Sequence, residues 1–299
     1  MDLTNFSHPT LLVIAGATAV GKTAATIKLA KKLGTSVISA DSRQFYREMK
    51  IGTAAPTAEE MDGVPHYFIG NLSISDYYNV YKFEQDVLAL LPTLFEKNNI
   101  VIMTGGSGLY IDAVCQGIDD IPDPDMKIRE SVMALWREEG IEGLRRRLQV
   151  LDPLFYQTND MANHKRMVRA LEVCLQTGKP YSQRLLRKRQ SRPFDIVKVC
   201  LVRPREELFA RINARTDSMI ANGWLDEAAS LYPYRHLNSL NTVGYKELFG
   251  YMDNSFTLEE AVEKIKTNTR HYSKRQMTWF KRDPEMRLMT PDEFAAEFL

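Results

Sequence analysis

The segment from residue 16 to residue 23 fits the pattern G-x-x-x-x-G-K-[ST]. In that pattern, glycines let backbone amides approach phosphate oxygens, and the following helix directs its positive dipole end at them. Lys22 can place a point charge on the outer phosphates, and the Thr23 hydroxyl can ligate Mg²⁺. A glycine-rich turn without a ligand is the alternative. We predict a phosphate site formed by Gly16, Ala17, Thr18, Ala19, Val20, Gly21, Lys22 and Thr23.

A second glycine-rich segment, Thr104-Gly105-Gly106-Ser107-Gly108, follows an apolar run at residues 100–103. A nucleoside triphosphatase usually carries an acidic residue at the end of such a run, where it helps to hold Mg²⁺ and water. No carboxylate stands there, so the phosphate motif does not by itself specify ATP. The Ser107 hydroxyl lies instead on a glycine-lined surface where a ligand could approach the backbone. A tight turn without a ligand is the alternative.

Asp41 directly follows another short apolar run, residues 37–40. In open α/β sheets, ligands bind beyond the carboxyl ends of the strands, so we expect Asp41 to face the phosphate site. It could bind Mg²⁺ through water, or accept a proton as a general base. Capping of a turn at Asp41-Ser42 is the alternative.

Positive charge is concentrated in two segments of a chain whose net charge is only +1. Between residues 165 and 192, Glu172 is the only acid beside Lys165, Arg166, Arg169, Lys179, Arg184, Arg187, Lys188, Arg189 and Arg192. Residues 264–282 hold seven Lys and Arg residues, no acid, and the aromatics Tyr272, Trp279 and Phe280. Such stripes suit a nucleic-acid backbone, and aromatics suit unstacked RNA bases. Solvated helix faces with core aromatics explain them equally well.

Arg211, Arg215 and Met219 are spaced so that they share one face of a predicted helix. The bidentate guanidinium of Arg215 could reach a diphosphate. An ordinary surface ion pair would explain the residue without a ligand.

The alternation of apolar runs and helical patterns predicts the elements that position these residues. Strands are expected at residues 11–15, 37–40, 100–103 and 196–202, with helices at 23–33, 80–97, 205–222 and 258–281. This order is typical of a parallel sheet with crossover helices. Residues 126–192 look wholly helical, after an acidic, proline-containing linker. We therefore predict an α/β core at 1–116 and 195–299, with a helical insertion at 117–194.

The composition of the 299-residue chain is that of an ordinary globular protein, with 44% hydrophobic and 26% charged residues. Its three cysteines, Cys115, Cys174 and Cys200, are far apart, which argues against a disulfide framework or a zinc site. The first nine residues are polar and lack a signal-peptide pattern. No apolar run approaches the roughly 20 residues of a membrane span. We expect a cytoplasmic protein that does not contact a membrane.

Several motifs, taken in order, resemble those of the bacterial tRNA dimethylallyltransferases, the adenosine-tRNA isopentenyltransferase family. The similarity runs nearly from end to end. It includes the phosphate motif, Asp41-Ser42-x-Gln44-x-Tyr46, Met49-x-Ile51-Gly52-Thr53-Ala54, Gly105-Gly106-Ser107-Gly108-Leu109-Tyr110, Arg166 to Val173, Arg211-Ile212-x-x-Arg215, Val243-Gly244-Tyr245-Lys246 and Lys274-Arg275-Gln276-x-Thr278-Trp279-Phe280. Each motif alone would be weak, but their order and spacing are specific.

The resemblance implies a P-loop NTPase-like fold and transfer of a dimethylallyl group from its diphosphate to the N6 amine of the adenosine 3′ to the anticodon of tRNA. The phosphate loop would hold the isoprenoid diphosphate with Mg²⁺ on Thr23. By analogy, Asp41 accepts the amine proton, Ser107 helps to place the base or the diphosphate, and Arg215 neutralises the leaving group. The partners would be tRNA and dimethylallyl diphosphate, and we expect a monomer.

The resemblance also implies which residues contact tRNA. They are Asp41, Ser42, Arg43, Gln44, Ser107, Arg129, Lys165, Arg166, Met167, Val168, Arg169, Gly244, Tyr245, Lys274, Arg275 and Gln276. The chain departs from the family at Ala17, where proline is usual, at Ser107, where threonine is usual, and at Ala55, where lysine is frequent. Serine keeps the hydroxyl but loses the methyl that fixes its rotamer.

Two other classes of protein remain open on the residues alone. A P-loop kinase of a small metabolite or nucleotide would explain the phosphate motif but not the basic segments. A non-catalytic RNA-binding ATPase would explain the basic segments but would leave Asp41 without a role.

Overall fold

The computed structural model describes residues 7–186 and 189–299, which form two compact units. One unit is built from the chain up to Gln116 and from Ser191–Leu299, and the other from Gly117–Gln190. Within the described residues, no helix is both long and apolar enough to cross a membrane.

The first unit contains a six-stranded parallel sheet. Its strands are β1 (Thr10–Gly16), β2 (Val37–Ser39), β3 (His66–Tyr67), β4 (Ile100–Gly105), β5 (Asp195–Leu201) and β6 (Arg287–Met289), in the spatial order β3-β2-β4-β1-β5-β6. The four central strands are those that the apolar runs predict. The edge strands β3 and β6 were not predicted, because neither contains an apolar run.

Helices cover both faces of this sheet. Those before the second unit are α1 (Lys22–Leu33), α2 (Ala58–Met61), α3 (Val80–Phe95) and α4 (Gly108–Gln116). Alternate residues of β1 point to opposite faces, as the pleat of a strand requires. Leu11 and Val13 pack with α3 and α4, whereas Leu12 and Ile14 pack with α1. Burial on both faces explains why β1 is a continuous apolar run.

The second unit is helical, with α5 (Met126–Leu151), α6 (Pro153–Thr158) and α7 (His164–Thr177), followed by a 3₁₀ turn at Tyr181–Arg184. Gly140 interrupts α5 with a non-helical conformation. The prediction that residues 126–192 are helical throughout was wrong beyond Thr177. There Gly178 adopts the left-handed conformation that ends a helix, and Pro180 follows.

After β5 the chain forms α8 (Arg205–Ala221), α9 (Trp224–Leu231), α10 (Tyr245–Met252), α11 (Leu258–Phe280) and α12 (Pro291–Phe298). Trp224, Tyr245 and Ile265 from three of these helices pack with Tyr46 and Met49 in a third cluster of buried residues. This cluster fixes the segment after Asp41 against the carboxyl-terminal helices.

All three cysteines are buried, and none of them forms a disulfide bond. Burial raises the pKa of the Cys115 and Cys200 thiols to about 12. Burial also raises the pKa of Cys174.

Candidate functional site

The phosphate motif forms the loop between β1 and α1, which we call the P-loop (residues 16–23). Gly16 has φ of +152°, and a Cβ there would lie 2.9 Å from the Leu201 carbonyl oxygen. Gly21 precedes α1 with φ of +109°. Glycine is therefore required at both ends of the loop. Lys22 folds back across it and donates from Nζ to the carbonyl oxygens of Gly16 and Ala17, both at 2.9 Å.

Two arginines of α8 contact this loop. The Arg215 guanidinium donates to the Thr18 hydroxyl, and Arg211 Nε donates to the Ala19 carbonyl oxygen at 2.8 Å. Burial lowers the pKa of Lys22 to about 8; Asp41 opposes the shift and Arg215 adds to it. Three cationic side chains thus surround the loop, an arrangement that attracts a multiply charged anion.

Asp41 follows β2 and lies beside the P-loop. Its Oδ1 accepts a hydrogen bond from the Arg43 amide at 3.0 Å, so the carboxylate caps the turn. It also lines both cavities described below. The capping and ligand-facing interpretations are therefore compatible with each other.

Ser107 lies across from this turn, where β4 leads into α4. Its hydroxyl accepts from the Ser42 amide at 3.0 Å and lies 3.1 Å from the Ser42 hydroxyl. Burial raises the pKa of Tyr272 to about 12, with Asp41 adding to the shift and contact with Ser107 opposing it. These polar neighbours orient a hydroxyl that lacks the β-methyl of threonine.

Two cavities meet at these residues. The first has a volume of about 710 Å³ and is lined by the P-loop residues Lys22 and Thr23. The second, of about 360 Å³, is lined by Ser42, Arg43, Trp224 and Arg275. The two share Thr18, Asp41, Thr53, Arg215 and Tyr272. A ligand in one cavity would therefore approach a ligand in the other next to the Asp41 carboxylate.

Thr23 is exposed at the start of α1 and lines the first cavity. Within residues 7–186 and 189–299, no group of three or more His, Cys, Asp or Glu side chains is arranged to hold a metal ion. Mg²⁺ commonly keeps several waters and binds substrate phosphates together with one or two protein groups. Thr23 and the nearby Asp41 fit that mode of binding, whereas a site made of protein ligands alone does not fit.

Several predicted tRNA contacts lie at the second cavity. Ser42, Arg43 and Arg275 line it, and Lys274 is exposed on α11. The Arg43 guanidinium donates to the carbonyl oxygens of Asn238 and Ser239, at 3.1 and 3.0 Å. Gln44 instead turns inward and donates to the Thr53 and Ala54 carbonyl oxygens.

Four of the residues predicted to contact tRNA have buried side chains. Met167 and Val168 pack in the core of the helical unit. Tyr245 is fully buried and donates to Glu227, and Gln276 is only 5% exposed. All four side chains take part in packing, and Gln276 also lines the first cavity. Gly244 is also buried, and a Cβ there would lie 2.1 Å from the Trp224 ring.

The remaining predicted contacts belong to the helical unit. Lys165 and Arg166 are exposed in the first turn of α7. Arg129 and Arg169 both pair with the fully buried carboxylate of Glu172, at 2.7 and 3.3 Å. Arg187 and Lys188 lie outside the described residues. Thr53 and Tyr272 line both cavities but were not predicted as site residues, since neither residue type in its local pattern indicates a binding role.

Comparison with known proteins identifies the family. The family model described as IPP transferase matches residues 44–283. The tRNA dimethylallyltransferase 1 of Bacteroides thetaiotaomicron is 50% identical over 285 residues, covering 95% of this chain and 92% of that protein. The tRNA dimethylallyltransferase of Christiangramia forsetii is 48% identical over 283 residues, covering 95% and 94%.

Solved structures agree with this assignment. The full-length tRNA isopentenylpyrophosphate transferase of Bacillus halodurans is 38% identical with a TM-score of 0.68, covering 95% of this chain and 90% of that one. A eukaryotic dimethylallyltransferase, in a structure described as acting on tRNA, is 26% identical with a TM-score of 0.78, covering 94% and 74%. The chain belongs to the IPP transferase family.

Proposed function

We propose that this protein transfers a dimethylallyl group from dimethylallyl diphosphate to the N6 amine of the adenosine 3′ to the anticodon of tRNA, releasing diphosphate. The names of its relatives support tRNA as the acceptor and dimethylallyl as the group. The observation that carries the proposal is the pair of cavities that share Asp41 and Arg215. Such a pair suits two substrates that must react with each other.

The first cavity suits the diphosphate. P-loop amides and the amino terminus of α1 favour phosphate oxygens, and Lys22, Arg211 and Arg215 lie beside them. Because the negative charge on the diphosphate grows as its bond to carbon breaks, these cations stabilise the transition state more than the ground state. When bound, Mg²⁺ would neutralise further charge on the diphosphate, with Thr23 as a protein ligand.

The second cavity suits the acceptor base. An adenosine flipped out of the anticodon loop would enter between the Ser42-Arg43 turn and Arg275, at a cost of a few kcal/mol. Its N6 forms a bond to C1 of the dimethylallyl group while the bond between C1 and the diphosphate oxygen breaks. The amine proton passes to the Asp41 carboxylate, and the diphosphate leaves with the bonding electron pair. Ser107 orients the Asp41-Ser42 turn.

One chain supplies both cavities, so we further propose that the protein acts as a monomer. We place this activity in the cytoplasm, where unmodified tRNA would be its substrate. The exposed cations Lys165 and Arg166 of the helical unit, and Lys274 and Arg275 of α11, would contact the phosphate backbone of tRNA.

The test incubates purified protein with Mg²⁺, radiolabelled dimethylallyl diphosphate and unmodified tRNA that carries adenosine 3′ to its anticodon. A parallel reaction replaces the isoprenoid with labelled ATP. We expect label to enter the tRNA while ATP remains intact. Phosphate release from ATP without prenyl transfer would instead support the kinase or ATPase alternatives.

A further inference from the structure

One buried side chain joins the P-loop to the turn that carries Ser107, and Ser107 in turn contacts Ser42 in the wall of the second cavity. Gln276 lies in α11, and its side-chain amide sits between the P-loop and the turn that carries Ser107. Its Oε1 accepts from the Thr18 amide at 2.9 Å, and its Nε2 donates to the Gly106 carbonyl oxygen at 2.9 Å. Gln276 is only 5% exposed, and its bond to Gly106 is buried, whereas its bond to Thr18 lies at the wall of the first cavity.

Each partner of Gln276 is directly connected to a reacting group in the proposed mechanism. The Thr18 hydroxyl accepts a hydrogen bond from the Arg215 guanidinium, which lines the first cavity, where the diphosphate would bind. Gly106 immediately precedes Ser107, whose hydroxyl holds the Ser42 amide beside Asp41. The Gln276 amide therefore links the leaving-group side of the site to the proton-acceptor side.

The glycine at position 106 permits this link. A Cβ at Gly106 would lie 2.2 Å from Gln276 Nε2, where no side chain fits unless the amide moves. Trp279, one turn further along α11, packs on Gly108, where a Cβ would likewise lie 2.2 Å from the Trp279 ring. Helix α11 thus contacts both ends of the Ser107 turn. Through Gln276, the same helix also contacts the P-loop.

We propose that Gln276 is a positioning residue, which sets the separation of the donor and acceptor loops; the inference rests on the proposed function. A primary amide presents one acceptor and one donor on a planar group, as Thr18 N–H and Gly106 C=O require. A carboxylate of the same shape lacks the donor and would face the Gly106 oxygen with negative charge. Misalignment of the reacting atoms by about 1 Å can lower a rate about 10²-fold.

The test compares wild-type protein with the Gln276→Glu variant in the prenyl-transfer assay, with both substrates varied. We expect kcat to fall about 10- to 100-fold, while both KM values stay within about threefold, because alignment acts in the transition state. Thr278→Ala is the matched control, since Thr278 lies on the same helix, is exposed, and bonds only within α11 in the contacts described. Circular dichroism and melting establish that each variant is folded.

Two further variants make the result decisive. If Gln276→Glu does not fold, Gln276→Asn replaces it, because asparagine keeps both polar atoms but is too short to reach both loops. Gly106→Ala disrupts the same link from the other side. Its effect on kcat should not add to that of the Gln276 variant, because coupled contacts are non-additive.

A kcat within about twofold of wild type in the folded Gln276 variants overturns the inference, and so does full additivity with Gly106→Ala. KM values that rise more than kcat falls also overturn it, since Gln276 would then be a binding residue. Failure of the wild-type protein to transfer the prenyl group is a different outcome. It refutes the proposed function, and this inference with it.

Discussion

Asp41 caps a turn in the structure, and we propose that it also accepts the amine proton. Its Oδ1 closes the turn after β2 by accepting from the Arg43 amide, and the carboxylate lies in the wall between the two cavities. A capping bond holds the side chain in place without consuming its capacity to accept a proton, because an ionised carboxylate has about four acceptor positions.

Replacement of Asp41 by asparagine tests the second task separately. The amide oxygen can still cap the turn, but the side chain no longer accepts the amine proton. We expect kcat to fall about 10²- to 10⁴-fold, with tRNA affinity within about threefold of wild type in filter-binding assays. Unchanged turnover would remove Asp41 as the base.

We expect Lys22 to make diphosphate binding sensitive to alkaline pH. Burial lowers its pKa to about 8, so its charge is present below that pH and lost above it. Because the charged form would bind the diphosphate, kcat/KM for dimethylallyl diphosphate should fall above about pH 8, approaching tenfold per pH unit.

A Lys22→Arg variant provides the control for this profile. The guanidinium stays charged throughout the range, so the variant should lose the alkaline limb whatever its absolute rate. The profile is measured from about pH 6.5 to about pH 9.5 at saturating tRNA. Persistence of the same limb in Lys22→Arg would assign it to another group.

At the scale of elements, long apolar runs allowed β1 and β4 to be predicted, because strands buried on both faces leave a continuous signal. Strands β3 and β6 have two and three residues and gain their place only by pairing with β2 and β5. No local pattern encodes such pairing.

The sequence pattern also limits what can be predicted about the site, because some of its features depend on contacts between distant parts of the chain. The P-loop, Asp41 and Ser107 could be found by motif and strand position, because each follows a strand that the sequence predicts. The burial of Gln276 and Tyr245 could not be found, since it depends on which face of a helix meets distant loops. A basic stretch such as residues 264–282 conceals inward-facing side chains among exposed cations.

Glu227 in α9 shows how an element can support the site from a distance. Its Oε2 accepts from the Ile51 amide at 2.8 Å, and its Oε1 accepts from the Gly52 amide at 2.9 Å and the Tyr245 hydroxyl at 2.6 Å. Gly52 and Thr53 line the second cavity. The carboxylate thus fixes one wall of the acceptor cavity.

We expect Glu227→Gln to lower the free energy of unfolding by about 2 kcal/mol, because hydrogen bonds to a charged acceptor are lost. The KM for tRNA should rise as the wall loosens. Tyr245→Phe removes the hydroxyl contact alone and should cost only about 1 kcal/mol. Urea denaturation compares the two variants, and equal losses would contradict a special role for the two backbone amides.

At the scale of the whole molecule, a net charge of +1 conceals strong local charge. Lys165 and Arg166 occupy the first turn of α7, next to the positive end of the helix dipole. Cations there cost about 0.3–1 kcal/mol of helix stability. We propose that an external anion, supplied by tRNA phosphates, accounts for their placement.

Replacement of both residues by alanine should weaken tRNA binding and reduce the slope of log affinity against log salt by about 1 to 2. Lys31→Ala with Lys97→Ala is the control, since it removes the same charge at exposed positions of the α/β unit, before the amino-terminal ends of β2 and β4, whereas the P-loop follows the carboxyl end of β1. An unchanged slope in the α7 variant would show that these cations do not contact the nucleic acid.

The burial of all three native cysteines has a practical consequence for following the reaction. Thiols with pKa values near 12 in Cys115 and Cys200, and a raised pKa in Cys174, present almost no thiolate at neutral pH. A maleimide dye should therefore not react with the three native cysteines. It should label only a single cysteine introduced at an exposed position such as Ser75. Fluorescent protein for stopped-flow or single-molecule work can be prepared without first replacing the native cysteines.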